Sequence, residues 1–116
     1  MTTHIEEVND GNFAKIVLGS TEPVLVDFWA QWCAPCRALA PVVEAIAEQY
    51  RGSAQVVKLN VDDSPSVVEK FRIAAIPTLI VFQNGEEKDR VIGAASQEAI
   101  ASRLDAHLGK RSEVGG

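Results

Sequence analysis

Residues 28–41 read FWAQWCAPCRALAP and contain both cysteines of the chain, Cys33 and Cys36, with two residues between them and Trp32 in front. Three arrangements are compatible with such a pair. It can be a redox couple, half of a metal site, or two small buried residues that happen to be neighbours. The residues around the pair and the rest of the chain discriminate between these possibilities.

The composition restricts the class of protein. With 116 residues, 47% of them hydrophobic, the chain is long enough for one domain with a substantial core. Two cysteines are too few for a disulfide scaffold, and a formal net charge of -5 with scattered basic residues disfavours binding to nucleic acid or to an acidic membrane. The N-terminus lacks a secretory pattern, and no apolar run approaches the length of a membrane span. We therefore expect a cytoplasmic protein, and separately that it is a monomer. Thiols are kept reduced in the cytoplasm, so a close cysteine pair there is more typical of a catalytic or metal-binding site than of a structural one.

Short apolar runs alternate with helical patterns, which indicates an α/β domain. We predict one domain over residues 1–109 and a flexible tail over residues 110–116. The predicted strands are 23–30, 54–62 and 77–83, followed by a hairpin turn at Asn84-Gly85. The predicted helices run from Asn9 or Asp10 to Leu18, from about Pro35 to Tyr50, from Pro65 to Phe71 and from Ser96 to Leu108. Because the strands are apolar on both faces, helices should cover both sides of a mixed sheet.

The sequence places the two cysteines at the start of a helix. Proline is favoured at the first helical position, so Pro35 there makes Ala34 the cap and puts Cys33 at the helix entrance. Unpaired backbone N–H groups and the helix dipole favour a thiolate at that point, so Cys33 is the predicted nucleophile. Cys36 lies about one turn further on, at roughly 5 to 6 Å, within the reach of a disulfide. It is the predicted resolving thiol, which closes the internal disulfide and releases a reduced substrate.

The two other interpretations of the pair are weaker. A zinc site needs about four ligands, whereas a single CxxC supplies two of them. The only histidines, His4 and His107, lie near opposite ends of the chain, and we expect no bound metal. Two inert core cysteines are possible in principle, since free cysteine is often buried. The helix entrance argues against that interpretation for Cys33 and less strongly for Cys36.

Asp27 interrupts VLVDFWA, a strand that is otherwise apolar on both faces. Burial raises the pKa of a carboxyl group, which suits a proton acceptor that works near neutral pH. Because this strand leads directly into the cysteine loop, Asp27 is predicted to accept the Cys36 proton, either directly or through a water. The alternative is that it merely pairs with Lys58, an equally unusual charge within AQVVKLNVD. The two roles are compatible with each other.

Several separated motifs over residues 4–109 resemble the thioredoxin family: VDFWAQWCAPC, the strand with Lys58, IPTLIVF followed by NGE, and the Gly93 segment. The resemblance implies a central five-stranded mixed β-sheet flanked by four α-helices. It also implies that Cys33 and Cys36 cycle between dithiol and disulfide and reduce protein disulfides without a bound cofactor. A flavin-containing, NADPH-dependent thioredoxin reductase would supply the electrons, and disulfide-containing client proteins would receive them.

The resemblance further implies a docking surface around the cysteines. Ile76-Pro77 would be a cis peptide that faces them, and the backbone beside it would pair with an extended client segment. The residues implied for substrate binding are Trp32, Ala34, Ile76, Pro77, Gly93 and Ala94, with Pro35 as part of the catalytic motif. From the residues alone, Trp32 could instead belong to the core, Pro77 could open a strand and Gly93 could end one.

The dipeptide between the cysteines departs from the commonest thioredoxin motif, which has glycine where this chain has Ala34. It keeps Pro35 and contains no histidine, and the absence of a histidine favours a reductant over an oxidant or isomerase. Arg37 either favours the Cys33 thiolate by its charge or is a solvated surface residue. The alternative for the whole protein is a binding subunit of a larger complex, which uses the same surface and leaves the cysteines idle.

Overall fold

The computed structural model describes residues 5–108. This part of the chain contains five strands: β1 (Glu6–Val8), β2 (Val24–Trp29), β3 (Gln55–Asn60), β4 (Thr78–Gln83) and β5 (Glu86–Ile92). It also contains the helices α1 (Ala34–Gln49), α2 (Pro65–Lys70) and α3 (Gln97–Leu108), a π-helical segment (Ala14–Leu18) and a 3₁₀ turn (Val61–Asp63). His4 and the predicted tail, 110–116, lie outside the described residues.

The strands form one mixed sheet in the order β1-β3-β2-β4-β5. The first three of these strands are parallel, whereas β4 is antiparallel to β2 and β5 is antiparallel to β4. Asn84 and Gly85 form the predicted turn between β4 and β5, both with positive φ (54° and 80°). With the π-helical segment counted beside α1, α2 and α3, the predicted α/β fold of a five-stranded mixed sheet and four helices is confirmed.

The first helix begins later than the sequence predicts. Instead of starting a helix at Asn9 or Asp10, the chain first makes a turn. The Asn9 side chain accepts the Gly11 N–H at 2.8 Å, and the Asn9 carbonyl accepts the Phe13 N–H at 2.9 Å, so Asn9 stabilises that turn. Helical backbone follows only after the turn, and the predicted stop at Gly19 is correct.

Alternate residues of β2 point to opposite faces of the sheet, and both faces are covered by helices. Val24, Val26 and Phe28 pack with the π-helical segment and α2. Leu25 packs on the other face, against α1 and α3. Asp27 follows Leu25 by two positions, so its side chain lies on the face covered by α1, the helix that begins at the cysteines. The strand alternation therefore places Asp27 beneath the cysteine pair.

Candidate functional site

Cys33 occupies the N-cap of α1. Its backbone is extended (φ -94°, ψ 102°), and its Sγ accepts the Cys36 N–H at 3.2 Å, as a capping side chain does. The sequence-based placement of the cap at Ala34 is therefore wrong, because Ala34 and Pro35 are already the first two residues of the helix. This correction puts Cys33 Sγ itself at the unpaired N–H groups of the helix, where a thiolate is favoured over a thiol.

Cys33 and Cys36 are joined by a disulfide, with their Cα atoms 5.2 Å apart. The structure is thus that of the oxidised protein. Both residues are buried, and Cys33 Sγ lies 3.8 Å from the carbonyl oxygen of Ile76. Within residues 5–108, no group of three or more His, Cys, Asp and Glu side chains could hold a metal ion. The two cysteines are bonded to each other in this structure, as they are in the oxidised form of a redox couple.

Ile76-Pro77 is a cis peptide, as the resemblance implies, and its Ile76 carbonyl lies against the cysteines. Pro77 immediately precedes β4, so it also opens a strand. Its carbonyl oxygen accepts the Gly93 N–H at 2.8 Å, which brings the segment after β5 to the same place. Gly93 has φ 90°, in the left-handed region that favours glycine, and Ala94 next to it is exposed. Two separate chain segments therefore meet beside the disulfide.

Trp32 is 67% exposed, which excludes a place in the core. Its indole Nε1 donates to the Asp62 carboxylate at 2.8 Å, and this bond fixes the ring next to an apolar groove of about 350 Å³. The groove is lined by Trp32, Val61, Val68, Ile73, Ala74, Ala75 and Ile76. Since Trp32 directly precedes Cys33, an apolar segment in this groove would lie next to the reactive sulfur.

Asp27 is 3% exposed, and its Oδ1 has no hydrogen-bond partner among the described residues. Burial raises its pKa to about 7, against the opposing charge of Lys58. Both Asp27 and Cys36 line a cavity of about 280 Å³, together with Trp29, Arg37, Ala40 and Lys58. A space of this size holds water where polar groups border it. Asp27 and Cys36 therefore border one shared space that is large enough for a bridging water.

Lys58 lies beside Asp27 in the parallel register of β2 and β3, on the same face of the sheet. Within the described residues the two side chains form no ion pair of 4 Å or less, so the predicted pairing is not a direct salt bridge. The Lys58 ammonium instead lies 4.4 Å from the centroid of the Trp29 ring, and the Trp29 Nε1 donates to Glu7 at 3.1 Å. Lys58 acts on Asp27 through its charge, which lowers the pKa of the carboxyl group.

Arg37 connects the first turn of α1 to the loop before it. Its backbone N–H donates to the Cys33 carbonyl at 3.1 Å, and its guanidinium donates to the carbonyl oxygen of Gln31. The side chain is exposed and also borders the cavity that contains Asp27. Arg37 is thus a surface residue that borders the site and whose hydrogen bond restrains the cysteine loop. An effect of its charge on the Cys33 thiolate stays a prediction.

Several site residues give no clear signal in the sequence. Asp62 orients Trp32, but its position after a strand is equally typical of a solvated turn. Ile92 is 62% exposed at the end of β5, next to Gly93. The charged residues earlier in β5 are typical of a solvated strand, so the sequence does not indicate that this strand ends at the site. The wall of the groove formed by residues 73–75 has only small and aliphatic side chains. These residues form the groove only because the fold brings them next to Trp32, and local sequence patterns do not determine that contact.

The family model described as thioredoxin matches residues 4–106. The chain belongs to the thioredoxin family. It is 50% identical over 101 residues to thioredoxin 1 of Synechococcus elongatus, which covers 87% of this chain and 94% of that protein. It is 46% identical over 104 residues to a thioredoxin of Porphyra purpurea, with 90% and 97% covered. With the M-type chloroplastic thioredoxin of Pisum sativum the identity is 43% over 104 residues, covering 90% of this chain and 60% of that protein.

As a member of the thioredoxin family, the protein is a thiol-disulfide oxidoreductase whose Cys33–Cys36 pair cycles between dithiol and disulfide. Thioredoxins receive electrons from a thioredoxin reductase and reduce disulfides of client proteins. Among the helices of residues 5–108, none has the length and apolar character needed to cross a membrane. The family and the redox pair predicted from the sequence are confirmed.

Proposed function

We propose that this thioredoxin reduces client disulfides with Cys33 as nucleophile, Cys36 as resolving thiol and Asp27 as proton acceptor. The proposal is carried by one observation, the cavity of about 280 Å³ that joins Cys36 to Asp27. Cys33 does not line that cavity and instead caps α1 next to the exposed Trp32. The two thiols therefore have different surroundings, one suited to attack on a client and the other to loss of a proton inside the protein.

In the first step, the Cys33 thiolate attacks one sulfur of the client disulfide. A mixed disulfide forms, and the other client sulfur leaves as a thiolate. The Cys36 N–H, which lies 3.2 Å from Cys33 Sγ, stabilises the attacking thiolate. An extended client segment would bind along the groove between Trp32 and Ile76 and pair with backbone beside Pro77. Ala34, Gly93 and Ala94 would border that segment.

In the second step, Cys36 gives its proton to the Asp27 carboxylate, directly or through a water in the cavity. The new thiolate attacks Cys33 Sγ, the mixed disulfide breaks, and the second client sulfur leaves as a thiolate. The client thereby gains two electrons, and the cysteine pair loses two as it forms its disulfide. A pKa of about 7 suits Asp27 to this step, because the carboxyl group can both accept and return a proton at neutral pH.

The cysteine pair is then reduced again by the reverse exchange with a dithiol of the electron donor. We assign that role to a flavin-containing, NADPH-dependent thioredoxin reductase, with the thioredoxin itself acting as a monomer without bound cofactor or metal. The cytoplasm is the proposed location, because its reducing conditions keep such a pair in the dithiol form. Pro35, at the second position of α1, would hold the start of the helix between the two cysteines.

Reduction of insulin with dithiothreitol as electron donor tests the proposed function. The wild-type protein should turn over many equivalents of insulin, Cys33→Ser should be inactive, and Asp27→Asn should be slower near neutral pH. Ala38→Ser is a suitable control, because it changes an exposed residue of α1. If the wild-type protein does not reduce insulin under these conditions, the proposal is wrong, and the alternative of a binding subunit with idle cysteines takes its place.

A further inference from the structure

Arg90, in β5, connects two segments through its guanidinium group. Its Nε and Nη2 donate to the two carboxylate oxygens of Glu87, at 2.7 and 2.8 Å. Its Nη2 also donates to the carbonyl oxygen of Phe71, at 2.8 Å. The Arg90 side chain is 24% exposed, so these bonds are partly shielded from water. The ion pair with Glu87 orients the guanidinium, and the bond to Phe71 reaches across to another part of the fold.

Phe71 is the residue at which α2 ends. Its ring packs against the rings of Phe13 and Phe82, with centroids 5.6 and 5.1 Å away. The next residue, Arg72, has φ 53°, a left-handed conformation that is strained for any residue with a Cβ atom. Residues 72–76, which we call the groove loop, then lead to the cis peptide and supply much of the apolar groove. The bond from Arg90 thus holds the chain immediately before a strained residue and a docking surface.

We propose that Arg90 is a positioning residue for client docking. By holding the Phe71 carbonyl, it fixes the start of the groove loop, and with it the shape of the groove and the place of the Ile76 carbonyl beside Cys33. A charged donor makes a stronger bond to a carbonyl than a neutral one, which suits it to hold strained backbone in place. The inference rests on the proposed function, since it concerns the same client surface. Arg90 touches neither sulfur, so its loss should weaken docking and leave the chemistry of Cys33 intact.

The test compares a protein client with a small disulfide. Insulin is turned over with dithiothreitol as electron donor, whereas hydroxyethyl disulfide is mixed with the pre-reduced protein in a single turnover without dithiothreitol. Arg90→Met should raise KM for insulin by about tenfold, the effect expected from loss of a typical hydrogen bond to a charged group. The rate with hydroxyethyl disulfide, which is too small to span the groove, should stay unchanged. Thermal unfolding of each variant ensures that both assays are run on folded protein.

A second substitution provides a readout that a general loss of stability would not. Glycine adopts a positive φ without strain, so Arg72→Gly should restore the groove loop in the Arg90→Met background and bring KM back toward the wild-type value. The Ile73 N–H, which donates to the Val68 carbonyl at 3.0 Å, reports on the same loop. Its hydrogen exchange should be faster in Arg90→Met and slower again in the double variant.

The matched control is Arg51→Met, which removes another arginine from an exposed ion pair, with Glu48 at 2.7 Å. It should leave KM for insulin unchanged. An unchanged KM in Arg90→Met, an equal loss with insulin and hydroxyethyl disulfide, or a failure of Arg72→Gly to restore KM would each overturn the inference. A wild-type protein that does not reduce insulin would instead overturn the proposed function, so the two failures are distinguishable.

Discussion

Replacing Asp27 with asparagine should stabilise the folded protein by an amount that grows with pH. Burial raises the pKa of this carboxyl group from 3.8 to about 7, in spite of the opposing effect of Lys58. The folded protein therefore binds this proton more tightly than the unfolded chain does. The resulting stability is fully present below about pH 4 and is lost as the pH rises through about 7. Asparagine has no such proton to lose.

The size of the effect follows from the shift. A difference of roughly three pKa units, at about 1.36 kcal/mol per unit, corresponds to about 4 kcal/mol. The free energy of unfolding of Asp27→Asn, relative to that of the wild-type protein, should thus rise by about 4 kcal/mol between pH 4 and pH 8. The amide of asparagine also needs hydrogen-bond partners in the cavity. That cost is the same at every pH. It therefore shifts the difference in the free energy of unfolding by a constant and does not change how this difference varies with pH.

Urea unfolding of the oxidised proteins at several pH values measures this difference. Asp63→Asn is the matched control, because it removes one carboxylate from the exposed 3₁₀ turn and corrects for the change in net charge. A difference between Asp27→Asn and the wild-type protein that stays constant from pH 4 to pH 8 would refute the reasoning. It would mean that Asp27 is as easily ionised in the folded protein as in the unfolded chain.

Three further substitutions test other parts of the site. Lys58→Met should raise the pKa of Asp27 further, because it removes the positive charge that lowers it; a carboxyl titration followed by NMR that gives an equal or lower pKa would contradict this. Ala34→Gly should lower the free energy of unfolding of both redox forms by about 0.4 to 1 kcal/mol, since glycine adds freedom to the unfolded chain. It should move the reduction potential of the cysteine pair, measured against glutathione, by no more than about 20 mV. A more stable variant would mean that the backbone at Ala34 is strained, and a larger shift in potential would mean that Ala34 contacts a sulfur differently in the two redox forms. Arg72→Gly should raise the free energy of unfolding by roughly 0.5 to 1 kcal/mol, because the strain removed from the left-handed backbone exceeds the entropy that glycine adds to the unfolded chain. An unfolding titration that shows a less stable variant would mean that the Arg72 side chain makes a stabilising contact.

The parts of the site that depend on local patterns could be predicted from the sequence. The CxxC motif with proline inside it indicates a helix start, and a carboxylate in an apolar strand indicates a perturbed pKa. Two-residue alternation then places Asp27 on the face covered by α1. The helix start was predictable only to within one position, because either Ala34 or Cys33 can cap a helix that has proline in its first turn.

The remaining parts depend on contacts between distant segments. β1 spans only Glu6–Val8, which is too short to show the two-residue alternation of a strand. It is a strand because it pairs with β3. The Arg90 bond to Phe71 joins β5 to the end of α2, and neither residue has a pattern that signals the other. The position of the Lys58 ammonium is likewise a tertiary feature, since in the described part of the chain it lies over the Trp29 ring and forms no direct ion pair with Asp27. Such features come from tertiary packing, which no local periodicity describes.

The division of labour between the cysteines is tested most directly by trapping the mixed disulfide. Reduced Cys36→Ser and reduced Cys33→Ser are each incubated with insulin, quenched with acid, and analysed by mass spectrometry without reductant. We predict that Cys36→Ser accumulates a covalent adduct through Cys33, because the resolving thiol is missing, and that Cys33→Ser accumulates almost none. Equal trapping by the two variants, or a stronger adduct through Cys36, would contradict the assignment of Cys33 as the nucleophile.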